Sequence, residues 1–194
     1  MSLLCGPQPT PGLYRWCYSN HAVESTTSRP RDNLDIAPAR EEEVDLVIKI
    51  LNDIAEWLGS RGLPSRWGSA LARERFLAQI HQKEVFLARI GNDVVGTITL
   101  QWSDPIFWNG ASPDAGYIHK FAVVRAYAGR KIGEEMLRWA EKQASLAGKK
   151  YLRLDCLASN RIIRNYYEKA GYIHKGDTSP TGWSASLYEK SLSG

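Results

Sequence analysis

Apolar positions along this chain change their spacing several times, and each change marks an element. From Val44 they fall at Val47, Ile48, Leu51, Ile54, Ala55 and Leu58, a three-and-four spacing that predicts an amphipathic helix. Glu41–Glu43 load its first turn with negative charge, which the helix dipole favours, and Gly59 and Gly62-Leu63-Pro64 end it. A short strand, Leu34–Ala37, precedes it and is closed by Pro38. A second helix is predicted from Ser69 to His81 on Leu71, Phe76, Leu77 and Ile80. Val85–Ile90 and Val94–Trp102 read as strands joined by Gly91-Asn92-Asp93, a hairpin signal. Ala115–Val124 is a further strand. Helical spacing resumes from about Arg130 with Ile132, Met136, Leu137, Ala140, Ala144 and Ala147, and Gly148 stops it. Lys150–Leu157 is the next strand. Ser159 or Asn160 can cap a short helix to Ala170, and Gly171 ends it. Tyr172–Lys175 and Trp183–Glu189 form a last strand pair. The order β-α-α-β-β-β-α-β-α-β-β predicts an α/β layer fold with a mostly antiparallel sheet.

Residues 1–33 break this regularity. They hold Pro7, Pro9, Pro11 and Pro30 and the run Ser25–Ser28, with no sustained period. They are read as a partly disordered N-terminal extension, and 34–194 as one domain. Apolar content of 43% and charged content of 24% are globular values, so the core is large enough to fold. The net charge of +4 suits a phosphate-bearing ligand or solubility and is too small to argue for nucleic acid. No apolar run approaches the roughly 20 residues that cross a bilayer, and no export signal is visible, so neither membrane nor secretion is expected. Cys5, Cys17 and Cys156 are an odd set at unrelated spacings, which points to a reducing, cytoplasmic setting. Histidines and cysteines show no metal-ligand spacing, so no metal is expected.

The chemistry gathers in Tyr117–Glu134, YIHKFAVVRAYAGRKIGE. A strand runs into a turn bearing Gly129 and then into a helix. The first amides of that helix have no internal partner and sit at the positive end of its dipole. Arg125, Arg130 and Lys131 lie in or beside the turn. Cations at a helix N-terminus oppose the dipole unless an anion is bound, so the stretch reads as a phosphate or pyrophosphate cradle.

Two segments, FAVVRAYAGRKIGEEML and LDCLASNRIIRNYYEKAGY, together with the order of elements, resemble the GCN5-related N-acetyltransferases (GNAT) over about residues 34–190. The resemblance implies that family's fold: a mostly antiparallel central sheet, about four flanking helices, and splayed strands holding acetyl-coenzyme A (acetyl-CoA) as co-substrate. It implies that Phe121, Ala122 and Val123 meet the pantetheine arm by strand addition. Gly129, Arg130, Lys131, Ile132, Gly133 and Glu134 match the pyrophosphate loop. Asn160 matches an asparagine of the pantetheine region, and Tyr167 the tyrosine beside the coenzyme sulfur. Two positions depart from the pattern. Ala128 stands where the family has Arg or Gln, and Lys131 where it has Gly. Altered phosphate contacts are expected from these, with the site kept.

The activity implied is transfer of an acetyl group from acetyl-CoA to a primary amine of a small molecule or peptide. Tyr167 is the expected general acid for the leaving thiolate, and the Val123 N–H the expected oxyanion contact. Three bases stay open. Asp155 is one; its competing role is an ion pair with Arg153 or Arg161. His119 is another, predicted to share a face with Phe121 and Val123; its competing role is a core histidine. A water is the third. Trp57, Trp67, Trp102 and Trp108, with Arg61, Arg66, Asp104 and Asp114, either line the acceptor side or close the helices onto the sheet. The alternative function is a coenzyme-binding sensor or partner module with little or no turnover, motivated by Ala128 and Lys131. A homodimer is allowed by this reading, and no nucleic-acid partner is expected.

Overall fold

The computed structural model of the protein describes residues 33–63, 65, 67 and 72–192. Six consecutive residues, Val95–Leu100, are buried. A strand hidden on both faces needs cover on both sides of its sheet, and helices supply it here. The strands are β1 (Leu34–Pro38), β2 (Val85–Ile90), β3 (Asp93–Gln101), β4 (Ala115–Val123), β5 (Tyr151–Leu157), β6 (Ile173–Thr178) and β7 (Ala185–Ser191). The helices are α1 (Val44–Ser60), entered through a 3-10 turn at Glu41–Glu43, α2 (Arg73–His81), α3 (Ile132–Leu146) and α4 (Arg161–Lys169). The sheet order is β1-β2-β3-β4-β5-β7-β6, antiparallel throughout except for the parallel pair β4–β5. Residues 1–32, Pro64, Arg66 and the predicted helix start at Ser69–Leu71 lie outside the described residues.

Two cores follow from the two helical stripes. On one face Val44, Val47, Ile50 and Leu51 of α1 and Phe76 and Ile80 of α2 pack with Val85, Leu87 and Ala122. On the other, Ile132, Met136, Leu137, Ala140 and Ala144 of α3 and Tyr167 of α4 pack with Val95, Ile98, Ile118, Leu152, Leu154 and Cys156. Gly96 has no room for a larger residue. A Cβ there would lie 2.7 Å from the Ala122 carbonyl and 2.9 Å from Met136 Sδ.

The β2–β3 loop is shorter than predicted. Ile90 pairs with Asp93, which leaves only Gly91 and Asn92 in the turn, with Gly91 at φ 57°. Positive φ at that position matches the twist of the strands it joins. Helix α3 starts at Ile132 rather than near Arg130, because Lys131 is left-handed, at φ 62° and ψ 9°. Gly129 also has positive φ, at 79°. Lys131 thus occupies a backbone conformation that glycine adopts without a steric cost. Two effects favour its replacement in the ligand-free protein: relief of that conformation and removal of a cation from a helix N-terminus. Lys131→Gly is expected to raise stability by up to about 1 kcal/mol, and β-branched Lys131→Val to lower it by more than about 1 kcal/mol. Urea unfolding of the three proteins checks the order; a valine variant as stable as the glycine variant would contradict it.

The feature that makes the site is a bulge in β4. Thr97 pairs with Ala122 and Thr99 with His119, so Lys120 and Phe121 together oppose Ile98. Lys120 has φ 47°. An extra residue shifts the alternation of side chains by one. Phe121 and Val123 therefore join Ile118 on the α3 side, while Ala122 packs with α1 and α2. The expectation that His119 shares a face with Phe121 and Val123 assumed unbroken alternation and is corrected here. His119 lies on the α1/α2 side. The bulge also ends the parallel ladder. Strands β4 and β5 pair from Ala115 with Tyr151 to Ile118 with Leu154, and no further among the described residues. Strand β5 stays with β7 as far as Leu157 opposite Ala185, so the two strands splay apart beyond Ile118.

Candidate active site

The splay leaves backbone groups facing a gap. The Val124 N–H donates to the Val95 carbonyl of β3 at 2.8 Å. Successive residues of a strand point their amides to opposite edges, so the Val123 N–H is directed away from β3, into the gap. The N-terminus of α3 stands beyond the end of β4. Its first amides lack intrahelical acceptors, and Arg130 and Lys131 are exposed beside them. Gly133 also serves packing. A Cβ on it would sit 2.6 Å from the Tyr166 hydroxyl oxygen and 3.4 Å from Phe121. The Tyr166 and Phe121 rings stack at 6.5 Å between centroids, so Tyr166 bridges β4 and α3 at the edge of the cleft.

The opposite wall is β5 and α4. Asn160 caps α4, its Oδ1 accepting the Ile163 N–H at 3.2 Å. That leaves its NH2 group as the part available to a ligand. Tyr167 is 6% exposed and ringed by Tyr166, Tyr172 and Tyr188, with centroids 5.6 to 6.0 Å away. Burial, with Cys156 and Asp155 nearby, pushes its hydroxyl well above the ordinary tyrosine range. It is fully protonated at neutral pH. Cys156 is a buried free thiol, pushed up to about 12 by burial and by Asp155.

On the α1/α2 face of the splayed strands lie three acid–base groups. His119 Nε2 is 3.7 Å from Asp104 Oδ2, and His119 Nδ1 is 3.8 Å from Asp155 Oδ1. Donor atoms of all three lie within 4.8 Å of one another. Asp104 comes from the loop after β3. Its Oδ1 accepts the N–H groups of Ile106 and Phe107 at 3.2 and 3.1 Å, which orients the carboxylate. Its Oδ2 is buried without a hydrogen-bond partner. Burial, then the Asp104 charge, raises Asp155 from the ordinary carboxyl range to about 7. Burial lowers His119 below its usual value, against the pull of Asp104 and with help from Lys120 and Arg75. A buried carboxylate oxygen aimed at a histidine and a second carboxylate attracts a cation, whether ammonium or metal. Sequence spacing showed no such set; the three residues meet only through the sheet.

The other expected site residues divide. Arg153, the competing partner of Asp155, is committed elsewhere: to Glu189 at 2.8 Å, the Ser112 carbonyl at 2.9 Å and the Tyr117 hydroxyl at 3.0 Å. Trp57 on α1 carries the Arg125 guanidinium 3.7 Å from its ring centre and that of Arg61 at 5.5 Å. Trp67 packs against the α1/α2 core. Trp108 lies over Arg153 at 4.9 Å, two residues along β5 from Asp155. Trp102 is not brought to this group. Its ring approaches Gly116, whose Cβ direction also meets Ala144, so it belongs to the α3 face. Strand alternation at the β3 end, invisible in a count of tryptophans, decides that. Asp114 is held by Lys150 at 3.6 Å at the far end of β4. Arg66 lies outside the described residues. Lys120 was not singled out from the sequence, since only the bulge turns it to the α2 side.

Comparison with known proteins agrees with this geometry. A sequence model of the Acetyltransferase (GNAT) family matches residues 49–172. The chain is 26% identical over 169 residues, 83% of its length and 92% of the relative's, to the uncharacterized N-acetyltransferase YesJ of Bacillus subtilis (strain 168). It is 30% identical over 102 residues to the aminoalkylphosphonate N-acetyltransferase of Salmonella typhimurium, covering 52% of this chain and 64% of that one. The fold is similar, with a TM-score of 0.64 at 18% identity, to the PaiA N-acetyltransferase of Thermoplasma acidophilum, solved in complex with coenzyme A. That likeness covers 82% of this chain and 99% of the other.

Proposed function

The chain belongs to the GNAT acetyltransferase family, and from that premise we propose that it moves the acetyl group of acetyl-CoA to a primary amine of a small molecule or peptide. The observation carrying this reading is the splay of β4 from β5, with a free strand edge on one side and Asp155 and Tyr167 on the other. An amide-bearing arm fits a free edge, and a pyrophosphate fits the α3 N-terminus with Arg130 and Lys131 beside it. In this reading Phe121, Ala122, Val123 and Gly129–Glu134 bind acetyl-CoA, with Asn160 across the gap. Acetyl-CoA supplies the acyl group as a thioester; no metal is invoked.

The residues then divide the proton work. Asp155 takes a proton from the acceptor ammonium, with His119 or a water as the competing base. The amine nitrogen bonds to the acetyl carbon while the C–S bond breaks. The Val123 N–H faces the carbonyl oxygen as its charge grows, and Tyr167 gives its proton to the leaving sulfur. The nitrogen sheds its second proton as the amide forms, and that proton restores the Tyr167 hydroxyl; amide and free coenzyme thiol result, and the proton on Asp155 is the one net proton released. Two environments favour Asp155 over His119: a carboxylate raised to about 7 is a better-matched base than an imidazole lowered by burial. Trp57, Trp67 and Trp108 border the acceptor side in this reading. Residues 34–194 are the catalytic domain and 1–33 an extension to it, in a cytoplasmic protein free to form a homodimer.

Thiol release from acetyl-CoA across a panel of amines and peptides, with products identified by mass spectrometry, tests the proposal. Turnover with at least one amine is expected. Coenzyme binding without turnover on any of them would instead support the sensor or partner module, which Ala128 and the left-handed Lys131 favour.

A further inference from the structure

One charged group beside the acid–base cluster has no role so far. Lys120 projects from the bulge toward α2. Its Nζ donates to Gln79 Oε1 at 3.0 Å and lies 5.0 Å from the centre of the Phe76 ring. Gln79 is itself buried. Among the described residues no carboxylate pairs with Lys120; Glu84, which acts on it at longer range, accepts Gln101 Nε2 at 2.6 Å. Burial, with the Arg75 charge acting in the same direction, lowers Lys120 to about 8. Arg75, exposed on the first turn of α2, also acts on His119 and has no carboxylate partner among the described residues. Its neighbour Arg73, by contrast, is paired with Asp45 at 3.0 Å. The backbone at Lys120 is also unusual, with φ 47° at a residue that carries a side chain.

The face thus has two poles. Asp104 and Asp155 form an anionic pole, in which Asp104 Oδ2 is buried without a hydrogen bond, His119 lying 3.7 Å away. Lys120 and Arg75 form a cationic pole one residue along β4 from His119. A partly buried cation without a carboxylate partner and a buried carboxylate oxygen without a hydrogen bond are each costly unless a ligand meets them. A single ligand with both charges meets both.

We propose that the acceptor is a bipolar amine: its ammonium is taken by Asp104 and Asp155, and a carboxylate, phosphonate or phosphate on the same molecule by Lys120 and Arg75. This rests on the acetyltransferase reading for the fate of the amine, and on the side-chain arrangement alone for the binding. Asp104 is then a specificity residue: it holds the nitrogen while Asp155 receives its proton.

The test uses the full chain with acetyl-CoA and two matched series. One holds ω-amino acids and ω-aminoalkylphosphonates with short chains, the other alkylamines of the same lengths. Values of kcat/KM are expected to be at least about tenfold higher for an anionic amine than for its neutral match. Lys120→Gln and the exposed Arg75→Gln should each cut that ratio by about 10- to 100-fold, chiefly through KM. Calorimetric binding of the same amines, without turnover, should show the same preference. Equal use of neutral amines, or a ratio unmoved in Arg75→Gln, overturns the proposal even if Lys120→Gln fails to fold. Absence of turnover with every amine would defeat the acetyltransferase reading, while calorimetry would still decide whether bipolar amines are preferred.

Discussion

Asp155→Asn is expected to lower kcat/KM by about 10²- to 10⁴-fold, the range that a positioned general base contributes. The substitution keeps shape and volume, so the fold should hold. The sign of the pH dependence follows from the environment. Burial and Asp104 raise Asp155 to about 7, so in the free enzyme it is protonated below that pH and ionised above it. A base must be ionised to act. The kcat/KM profile of the unmodified enzyme should therefore rise with pH through about 7, and Asp155→Asn should erase that limb. Once an ammonium is bound, its charge favours the carboxylate form, so the limb in kcat should lie at lower pH than the limb in kcat/KM. His119→Gln decides between the candidates. If it abolishes the limb while Asp155→Asn leaves it in place, the base is His119.

Tyr167→Phe should produce the second large loss, of about 10²-fold or more in kcat, with a different signature. Its hydroxyl is held well above the ordinary tyrosine range by burial, so it stays protonated across the accessible pH range. The deficit should then be constant from about pH 6 to 9, with the limb from Asp155 intact. The phenyl ring preserves the packing against Tyr166, Tyr172 and Tyr188. A merely structural Tyr167 would therefore give a variant with ordinary kcat and slightly altered stability. A full-rate phenylalanine variant removes the acid assignment. Comparing KM for acetyl-CoA separates a binding loss from a chemical one.

Much of this was legible in the residues. The stripes from Val44 to Leu58 and from Ile132 to Ala144, and glycines at the right stops, give helices by local spacing. The strands and the order of elements came the same way, and so did the helix start at the end of β4 with its unpaired amides. What failed failed at register. His119 went to the wrong face because a bulge carries no glycine or proline here; its extra residue is Lys120, an ordinary side chain at positive φ. For Trp102 the sequence leaves open the acceptor side or packing of helix on sheet, because order along the chain does not decide the face; its ring lies by Gly116 and Ala144 on the α3 side. Gly133 has a packing role that its place in the loop does not show: its lack of a Cβ makes room for the Tyr166 hydroxyl.

By itself the sequence determined the elements, the family and the strand–turn–helix at the end of β4, because these depend on residues close together in the chain: the 3.6 and 2.0 periods, the turn glycines, the unpaired amides of a helix start. Tertiary structure alone decided that β4 and β5 part after Ile118, and that Asp104, His119 and Asp155 converge with Lys120 beside them. Those residues come from a loop and two strands far apart in sequence. His119 and Asp155 are set side by side by the β4–β5 register, Ile118 opposite Leu154, and the one-residue shift between β3 and β4 turns Lys120 to the same side and reverses the face of the side chains beyond it.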